Sequence, residues 1–153
     1  MVAAPLLPRI LLSAVMLFLS LHPLVADDYA FPLEGTVAEA MEKANADDHP
    51  VFLEFMVRGC QHCERFRRNV LQSDAFAAYA KDHLHVVIYN ITRQQDTPEQ
   101  TAELKALMKA HRVQYTPTIV ILSPEGKRLL RTEGYKGTPA EAIVANLKQL
   151  TKP

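Results

Sequence analysis

The sequence predicts a single α/β domain, in which helices and strands alternate until a closing β-hairpin and a last helix. Three observations support this fold class. Residues 51–57 form a nearly continuous apolar run, typical of a central strand buried on both faces. The apolar spacing after this run is helical, so the only two cysteines, Cys60 and Cys63, fall at a strand-to-helix junction. A length of 153 residues with 48% hydrophobic and 22% charged residues suits one globular domain.

Hydrophobic periodicity, capping residues and turn residues predict the order α-β-α-β-α-β-β-α. The elements are a helix from Thr36 to about 46, a strand at 51–57, a helix at 64–71 that restarts at Ser73 and runs to about 82, a strand at 83–91, a helix at 97–111, a strand at 118–122, its antiparallel partner at 127–132, and a helix at 138–150. Thr36 and Thr97 each precede, by three residues, a residue that can complete a capping box. Thr138 is predicted to cap the last helix.

One carboxylate, Glu54, interrupts the central strand. We expect it to be desolvated there, close to the sulfur of Cys63, because the strand ends just before the helix that carries the cysteines. In that position Glu54 could accept the proton of Cys63 as a general base. The alternative is a partly solvated strand carboxylate without a chemical role.

The spacing of the cysteines indicates a chemical role. A Cys-x-x-Cys disulfide closes a very small loop, and the stabilisation from a crosslink grows with loop length. At the first turn of a helix, the Cys60 sulfur would meet free backbone N–H groups and the positive end of the helix dipole, which favour the thiolate. Cys63, one turn later and deeper, could then resolve a mixed disulfide formed at Cys60.

The two residues between the cysteines, Gln61 and His62, are expected to set the redox poise. A protonated His62 would add positive charge near the Cys60 sulfur and stabilise the dithiol form. The disulfide would then be more oxidising. Gln61 contributes no charge.

A proline opens the third strand, at Pro117. Proline fits at the first residue of a strand, and the Thr116–Pro117 bond is the one we expect to be cis. A cis bond would turn the backbone of Thr116 toward the cysteines and offer an extended peptide an edge to pair with. An ordinary trans proline at a strand entrance is the alternative.

Five stretches together resemble a known family: Val51-Phe52-Leu53-Glu54-Phe55, Cys60-Gln61-His62-Cys63, Tyr115-Thr116-Pro117-Thr118, Gly126-Lys127 and Gly134-Tyr135. They are similar to the thioredoxin fold, and specifically to exported bacterial thioredoxins of the SoxW or disulfide-interchange type, over residues 36–150. The resemblance implies a central mixed β-sheet flanked by helices. We expect no cofactor and no bound metal. It also implies that Cys60 is the nucleophile, that Cys63 resolves, that Glu54 assists and that Pro117 is cis.

Two differences from cytosolic thioredoxins leave the direction of electron flow open. Gly59 stands where cytosolic thioredoxins usually have tryptophan, and Gln61-His62 replaces their Gly-Pro. Histidine before the second cysteine resembles oxidants and isomerases, with potentials near about −120 and −180 mV, against about −270 mV for thioredoxin. The rest of the chain resembles reducing members. An alternative function is a copper carrier of the same fold that uses the same cysteines, although two thiols are too few for a closed zinc site.

The N-terminal segment predicts export. Arg9 precedes a run of twelve residues, 10–21, whose only polar members are two serines, and Ala26 ends the segment. This is the pattern of a signal peptide over residues 1–26, followed by the domain at 27–153. An uncleaved membrane anchor is the alternative, but a span needs roughly 20 apolar residues. We therefore expect a periplasmic protein.

The expected partners are cysteine-containing exported proteins and a redox partner protein. Lys+Arg 17 against Asp+Glu 17 gives no electrostatic case for nucleic acid, and a membrane is expected only if residues 1–26 are retained.

Other polar and aromatic residues are given structural interpretations. His83 and His85, two apart on a predicted strand, could be metal ligands, but they are interpreted as strand-edge residues without a role. His111 is interpreted as a favourable charge at a helix end. Tyr115 and Tyr135 are expected to pack structurally, with a place beside the site as the alternative.

Overall fold

The computed structural model describes residues 29–92 and 97–151, so the predicted signal peptide lies outside the described residues. The elements are α1 (Val37–Asp47), β1 (Val51–Met56), α2 (Gln61–Phe66), a π-helical segment (Arg67–Leu71), α3 (Asp74–His83), β2 (His85–Asn90), α4 (Pro98–Ala110), β3 (Thr118–Leu122), β4 (Arg128–Glu133) and α5 (Ala140–Leu150). Their order confirms the predicted α/β class. Within these ranges, no helix has the length and apolar character needed to cross a membrane.

The four strands form one mixed sheet in the order β2-β1-β3-β4. Strand β1 is central: it runs parallel to β2 and antiparallel to β3, and β4 closes the sheet as the antiparallel partner of β3. The first five residues of β1 are buried, which agrees with a strand covered on both faces. The hairpin between β3 and β4 turns at Gly126, whose φ of 84° is in the left-handed region that glycine tolerates.

Each face of the sheet has its own hydrophobic core, because successive strand residues point to opposite faces. Phe52 of β1 packs on Phe76 of α3 in a T-shaped contact with 5.1 Å between ring centroids. The opposite face carries Leu53 and Phe55, in one cluster with Leu104 of α4. Complete burial of such a side chain stabilises the fold by about 1.5–3 kcal/mol. The sheet is thus a rigid base for the loops that follow its strands.

The helix starts agree with the capping signals in part. The Thr97 hydroxyl accepts from the Gln100 N–H, and the Gln100 side chain accepts from the Thr97 N–H, so this capping box is complete. At α1, Thr36 accepts from the Glu39 N–H. The Glu39 carboxylate, however, accepts from the N–H of Gly35, one residue earlier than a capping box requires.

The predicted threonine cap of the last helix is wrong. Pro139 occupies the N-cap position with extended backbone, φ −60° and ψ 148°, and no side-chain hydrogen bond caps this end of α5. Thr138 lies one residue too early to cap. Its carbonyl instead accepts a hydrogen bond of 3.0 Å from the Tyr135 hydroxyl.

Two boundaries near the cysteines and β2 differ from the prediction. Helix α2 begins at Gln61, three residues earlier than expected, because Cys60 is its N-cap. After α2 the chain widens into the π-helical segment, where the Gln72 N–H donates to the Arg67 carbonyl at 2.9 Å. The predicted strand at 83–91 starts later because His83 is the last residue of α3.

The interpretation of His111 as a favourable charge is also wrong. Burial, and then the positive charges of Arg128 and Arg131, lower the pKa of His111 below its ordinary value and favour the neutral imidazole. The cation at this helix end comes from β4 instead. The Arg131 guanidinium donates to the carbonyls of His111 and Arg112, each at 2.6 Å, and so complements the negative end of the α4 dipole.

Candidate active site

A tight turn between β1 and α2 brings the first cysteine to the helix N-terminus. The Cys60 N–H donates to the Val57 carbonyl at 3.2 Å, and Gly59 between them has a φ of 83°. That conformation favours glycine over any residue with a side chain. The turn therefore accounts for glycine at the position where cytosolic thioredoxins usually have tryptophan.

Cys60 caps helix α2 with its own sulfur. The Cys63 N–H donates to the Cys60 Sγ at 3.4 Å. Thr116 also contacts the sulfur: its hydroxyl donates to Sγ at 3.6 Å and its carbonyl is 3.7 Å from Sγ. Both cysteines are free thiols, with Cys60 partly exposed and Cys63 only 1% exposed.

These surroundings shift the pKa values of the two thiols in opposite directions. Burial opposes ionisation of Cys60, but hydrogen bonds from the thiol and N–H of Cys63, the Thr116 hydroxyl and the His62 N–H outweigh it and lower its pKa. Burial, followed by the hydrogen bond to Cys60, raises the pKa of Cys63 to about 11. A partly exposed thiol that favours the thiolate therefore sits above a buried one that holds its proton.

Glu54 lies in the middle of β1 and is 2% exposed, so the strand carboxylate is desolvated as expected. Burial, followed by the negative charges of Cys60 and Glu64, raises its pKa to about 8. The charge of Cys60 is thus felt at Glu54, and the carboxyl is mostly protonated at neutral pH. Its service as the proton acceptor for Cys63 stays a prediction.

The loop before β3 lies against the cysteine turn. The Thr116–Pro117 peptide bond is cis. The loop is fixed at both ends: the Gly134 N–H donates to the Pro117 carbonyl at 2.7 Å, and the Thr118 hydroxyl donates to the Tyr115 carbonyl at 2.6 Å. These bonds hold the hydroxyl and carbonyl of Thr116 beside the Cys60 sulfur.

Gln61 and His62, the residues between the cysteines, are both exposed. The Nδ1 atom of His62 lies 3.3 Å from the Tyr135 carbonyl, which suits a ring N–H donating to that oxygen. Tyr135 is 6% exposed and packs its ring on Phe66, with 5.3 Å between centroids. The loop after β4 thus orients the imidazole. The acceptor is a backbone carbonyl 73 residues away in the sequence, so no pattern of side chains predicts this hydrogen bond.

Tyr135 and Tyr115 differ in how far they are buried. Tyr135 packs in the core as expected, whereas the side chain of Tyr115 is 66% exposed, so its expected packing is wrong. Tyr115 directly precedes the Thr116 that contacts Cys60. An exposed aromatic ring at this position is suited to contacting another protein.

The side chains that could together bind a metal ion lie away from the two cysteines. Among the described residues, Asp47, His49 and His85 form the group of three donors close enough to hold one ion. Cys60, Cys63 and His62 are not brought together in such a group.

The mixed sheet, the helix capped by Cys60 and the unequal pair of thiols define a thiol-disulfide protein with a thioredoxin fold. Comparison with known proteins agrees. The thioredoxin-like domain family matches residues 37–151. The chain is 31% identical over 117 residues to the disulfide bond reductase DsbH of Chlamydia pneumoniae, a match that covers 75% of this chain and 70% of that protein.

Solved structures give the same result. A DsbH oxidoreductase superposes with a TM-score of 0.72 at 27% identity, covering 85% of this chain and 89% of the other. A thioredoxin from Thermus thermophilus superposes with a TM-score of 0.58 at 24% identity, covering 78% and 84%, and supports the fold. The chain belongs to the thioredoxin-like family, and it is a thiol-disulfide oxidoreductase.

Proposed function

We propose that this protein exchanges disulfides with cysteine-containing exported proteins in the periplasm, through the dithiol-disulfide couple of Cys60 and Cys63. The observation that carries the proposal is the inequality of the two thiols. Cys60 is partly exposed with a lowered pKa, and Cys63 is buried with a pKa of about 11. Disulfide exchange through a mixed disulfide needs one sulfur to attack and a second, protected one to resolve.

In the proposed first step, the Cys60 thiolate attacks one sulfur of a client disulfide. A bond forms between Cys60 and that sulfur, and the other client sulfur leaves as a thiolate and takes up a proton. Thr116 and the helix N–H groups hold the Cys60 sulfur in place for attack. An extended client segment would lie beside Thr116 and contact the exposed ring of Tyr115.

In the second step, Cys63 loses its proton and attacks the Cys60 sulfur. The Cys60–Cys63 disulfide forms, and the client leaves with both cysteines reduced, having received two electrons. Glu54 is proposed to take the proton. The negative charge of Cys60, which raises the pKa of Glu54, disappears when Cys60 enters the mixed disulfide. The pKa of Glu54 therefore falls at the moment when Cys63 must lose its proton, and the ionised carboxylate that accepts this proton becomes easier to form.

We propose the reducing direction. The similarity to a protein named disulfide bond reductase supports this direction. A protonated His62 opposes it, because its charge stabilises the dithiol form and makes the disulfide more oxidising. A redox partner protein must then return two electrons to the Cys60–Cys63 disulfide after each turnover. The export pattern of residues 1–26 supports a periplasmic location.

The redox potential tests the direction. The protein is equilibrated in a series of reduced and oxidised glutathione, and the fraction of Cys60–Cys63 disulfide is measured by alkylation and mass spectrometry. We expect a potential closer to about −270 mV than to about −120 mV. His62→Ala should make it more negative, by roughly 30 mV, because the dithiol form loses a stabilising charge; such a shift corresponds to about 1.4 kcal/mol.

Gln61→Ala is the matched control for His62, since it alters an exposed neutral neighbour that carries no charge, and it should shift the potential much less than His62→Ala does. A wild-type potential near about −120 mV would contradict the reducing direction. An unchanged potential in His62→Ala would show that the imidazole does not tune the couple.

A further inference from the structure

A second group of reactive side chains lies at the opposite end of the sheet from the cysteines. Asp47 ends α1, His49 lies in the connection to β1, and His85 begins β2. His85 pairs with Val51, the first residue of β1, whereas Cys60 follows the last. A strand of this length spans about 20 Å. This group therefore takes no part in the thiol chemistry.

Both distances from the histidine nitrogens to the Asp47 carboxylate match the spacing of donors in a small metal site. The Nε2 atom of His85 is 3.1 Å from each carboxylate oxygen of Asp47, and the Nδ1 atom of His49 is 3.3 Å from one of them. The three donors all lie within 4.8 Å of one another. Tetrahedral Zn²⁺ with bonds of about 2.0–2.1 Å places its donors about 3.3–3.4 Å apart.

A fourth residue positions the best-buried ligand. The Nδ1 atom of His85 lies 3.2 Å from an oxygen of Glu34, and the side chains of His85 and Glu34 are only 12% and 6% exposed. Histidines that bind metals almost always donate their other ring N–H to a carboxylate, a backbone carbonyl or water, and Glu34 is such a carboxylate. Lys43 in turn pairs with the second oxygen of Glu34. The other ring nitrogen, Nε2, faces the Asp47 carboxylate, and it is free to bind an ion when Nδ1 carries the ring proton and donates to Glu34.

We propose that Asp47, His49 and His85 bind a divalent transition-metal ion of the Zn²⁺ class, with Glu34 as the positioning residue for His85. Two imidazoles and one carboxylate suit Zn²⁺, with water as the fourth ligand. Ca²⁺ needs six to eight oxygen ligands and does not suit this group. The bound ion joins the end of α1 to the start of β2, and it stabilises the folded chain because the unfolded chain lacks the assembled site.

The test is a zinc titration of the full chain carrying Cys60→Ser and Cys63→Ser, so that no thiol competes for the ion. Affinity is measured by competition with a chromophoric chelator, and Tm is measured with and without Zn²⁺. We expect one ion per chain and a higher Tm with zinc. His49→Ala should weaken binding at least about 10-fold, and Glu34→Gln by about 10- to 100-fold.

His83→Ala is the matched control, because its ring lies 5.9 Å from that of His49 without contributing a donor to the group. It should change the affinity less than twofold. The His49 side chain is 37% exposed, so its replacement should not prevent folding. A thiol-free chain that binds no Zn²⁺ at micromolar concentration would overturn the proposal. Equal affinities in the His49→Ala and parent chains would overturn it as well.

Discussion

Replacing Cys60 with serine is expected to reduce disulfide exchange to the rate of the uncatalysed reaction, because the attacking thiolate is lost. Replacing Cys63 with serine should leave the first step intact and block the second. In that variant a mixed disulfide between Cys60 and the client accumulates, since no buried thiol is present to resolve it. Oxidised glutathione serves as the client disulfide. Mass spectrometry of the peptides over time measures how fast each variant reacts and which cysteine carries the mixed disulfide.

The two serine variants are each other's controls, since each removes one sulfur from the same turn. Cys63 is 1% exposed and its pKa is raised to about 11, so it should not form the mixed disulfide in the Cys60→Ser chain. Glutathione found on Cys63 of that chain at a rate comparable with Cys60 would reverse the assignment of the two roles.

Glu54 is expected to make the folded state less stable as pH rises. Its pKa is about 8 in the folded chain against an ordinary 4.5, so over this interval the folded state holds a proton that the unfolded state has lost. The contribution of the protonated carboxyl is therefore fully present below pH 4.5 and is lost as pH rises to about 8. Each pKa unit corresponds to about 1.4 kcal/mol, so the free energy of unfolding falls by at most roughly 4–5 kcal/mol.

Glu54→Gln should remove this pH dependence while keeping the shape of the side chain. Urea unfolding of the reduced chain at pH 5 and pH 8 gives the free energy of unfolding of each variant. Glu42→Gln, which alters an exposed carboxyl on α1, is the control and should keep the wild-type dependence. If wild type and Glu54→Gln lose the same free energy of unfolding between the two pH values, Glu54 does not hold an extra proton in the folded state.

The same variant tests the proposed proton transfer. Glu54→Gln cannot accept a proton, so resolution of the mixed disulfide by Cys63 should slow about 100-fold, a typical contribution of a general base. The attack by Cys60, which precedes it, should change much less. Stopped-flow measurement of the two phases separates these effects.

Local patterns predicted most of the fold and the position of the site. A continuous apolar run followed at once by helical spacing places Cys60 at the end of β1 and the start of α2, because both signals come from neighbouring residues. The desolvation of Glu54 follows from its place in a run that only a doubly covered strand explains. Thr116 reaches Cys60 because β3 pairs with β1, and the apolar run at 118–122 indicated a strand suitable for that pairing.

The features that were not predicted depend on contacts between distant segments. The hydrogen bond of His62 to the carbonyl of Tyr135 uses the backbone of a loop, so no residue type signals it. The side-chain contacts of His85 are not signalled by its neighbours in sequence, because its partners are Asp47 of α1 and Glu34, which lies just before α1. The wrong interpretation of His111 has the same origin, since Arg131 approaches from β4.

The central claim is that Cys60 is an activated thiolate held above a protected Cys63. The most direct measurement is the rate of alkylation of the reduced protein by iodoacetamide as a function of pH, with mass spectrometry to confirm that Cys60 is the residue modified. The hydrogen bonds from Cys63, Thr116 and His62 predict an apparent pKa for Cys60 clearly below the value of about 8.5 for a free cysteine. An apparent pKa at or above about 8.5 would contradict the account.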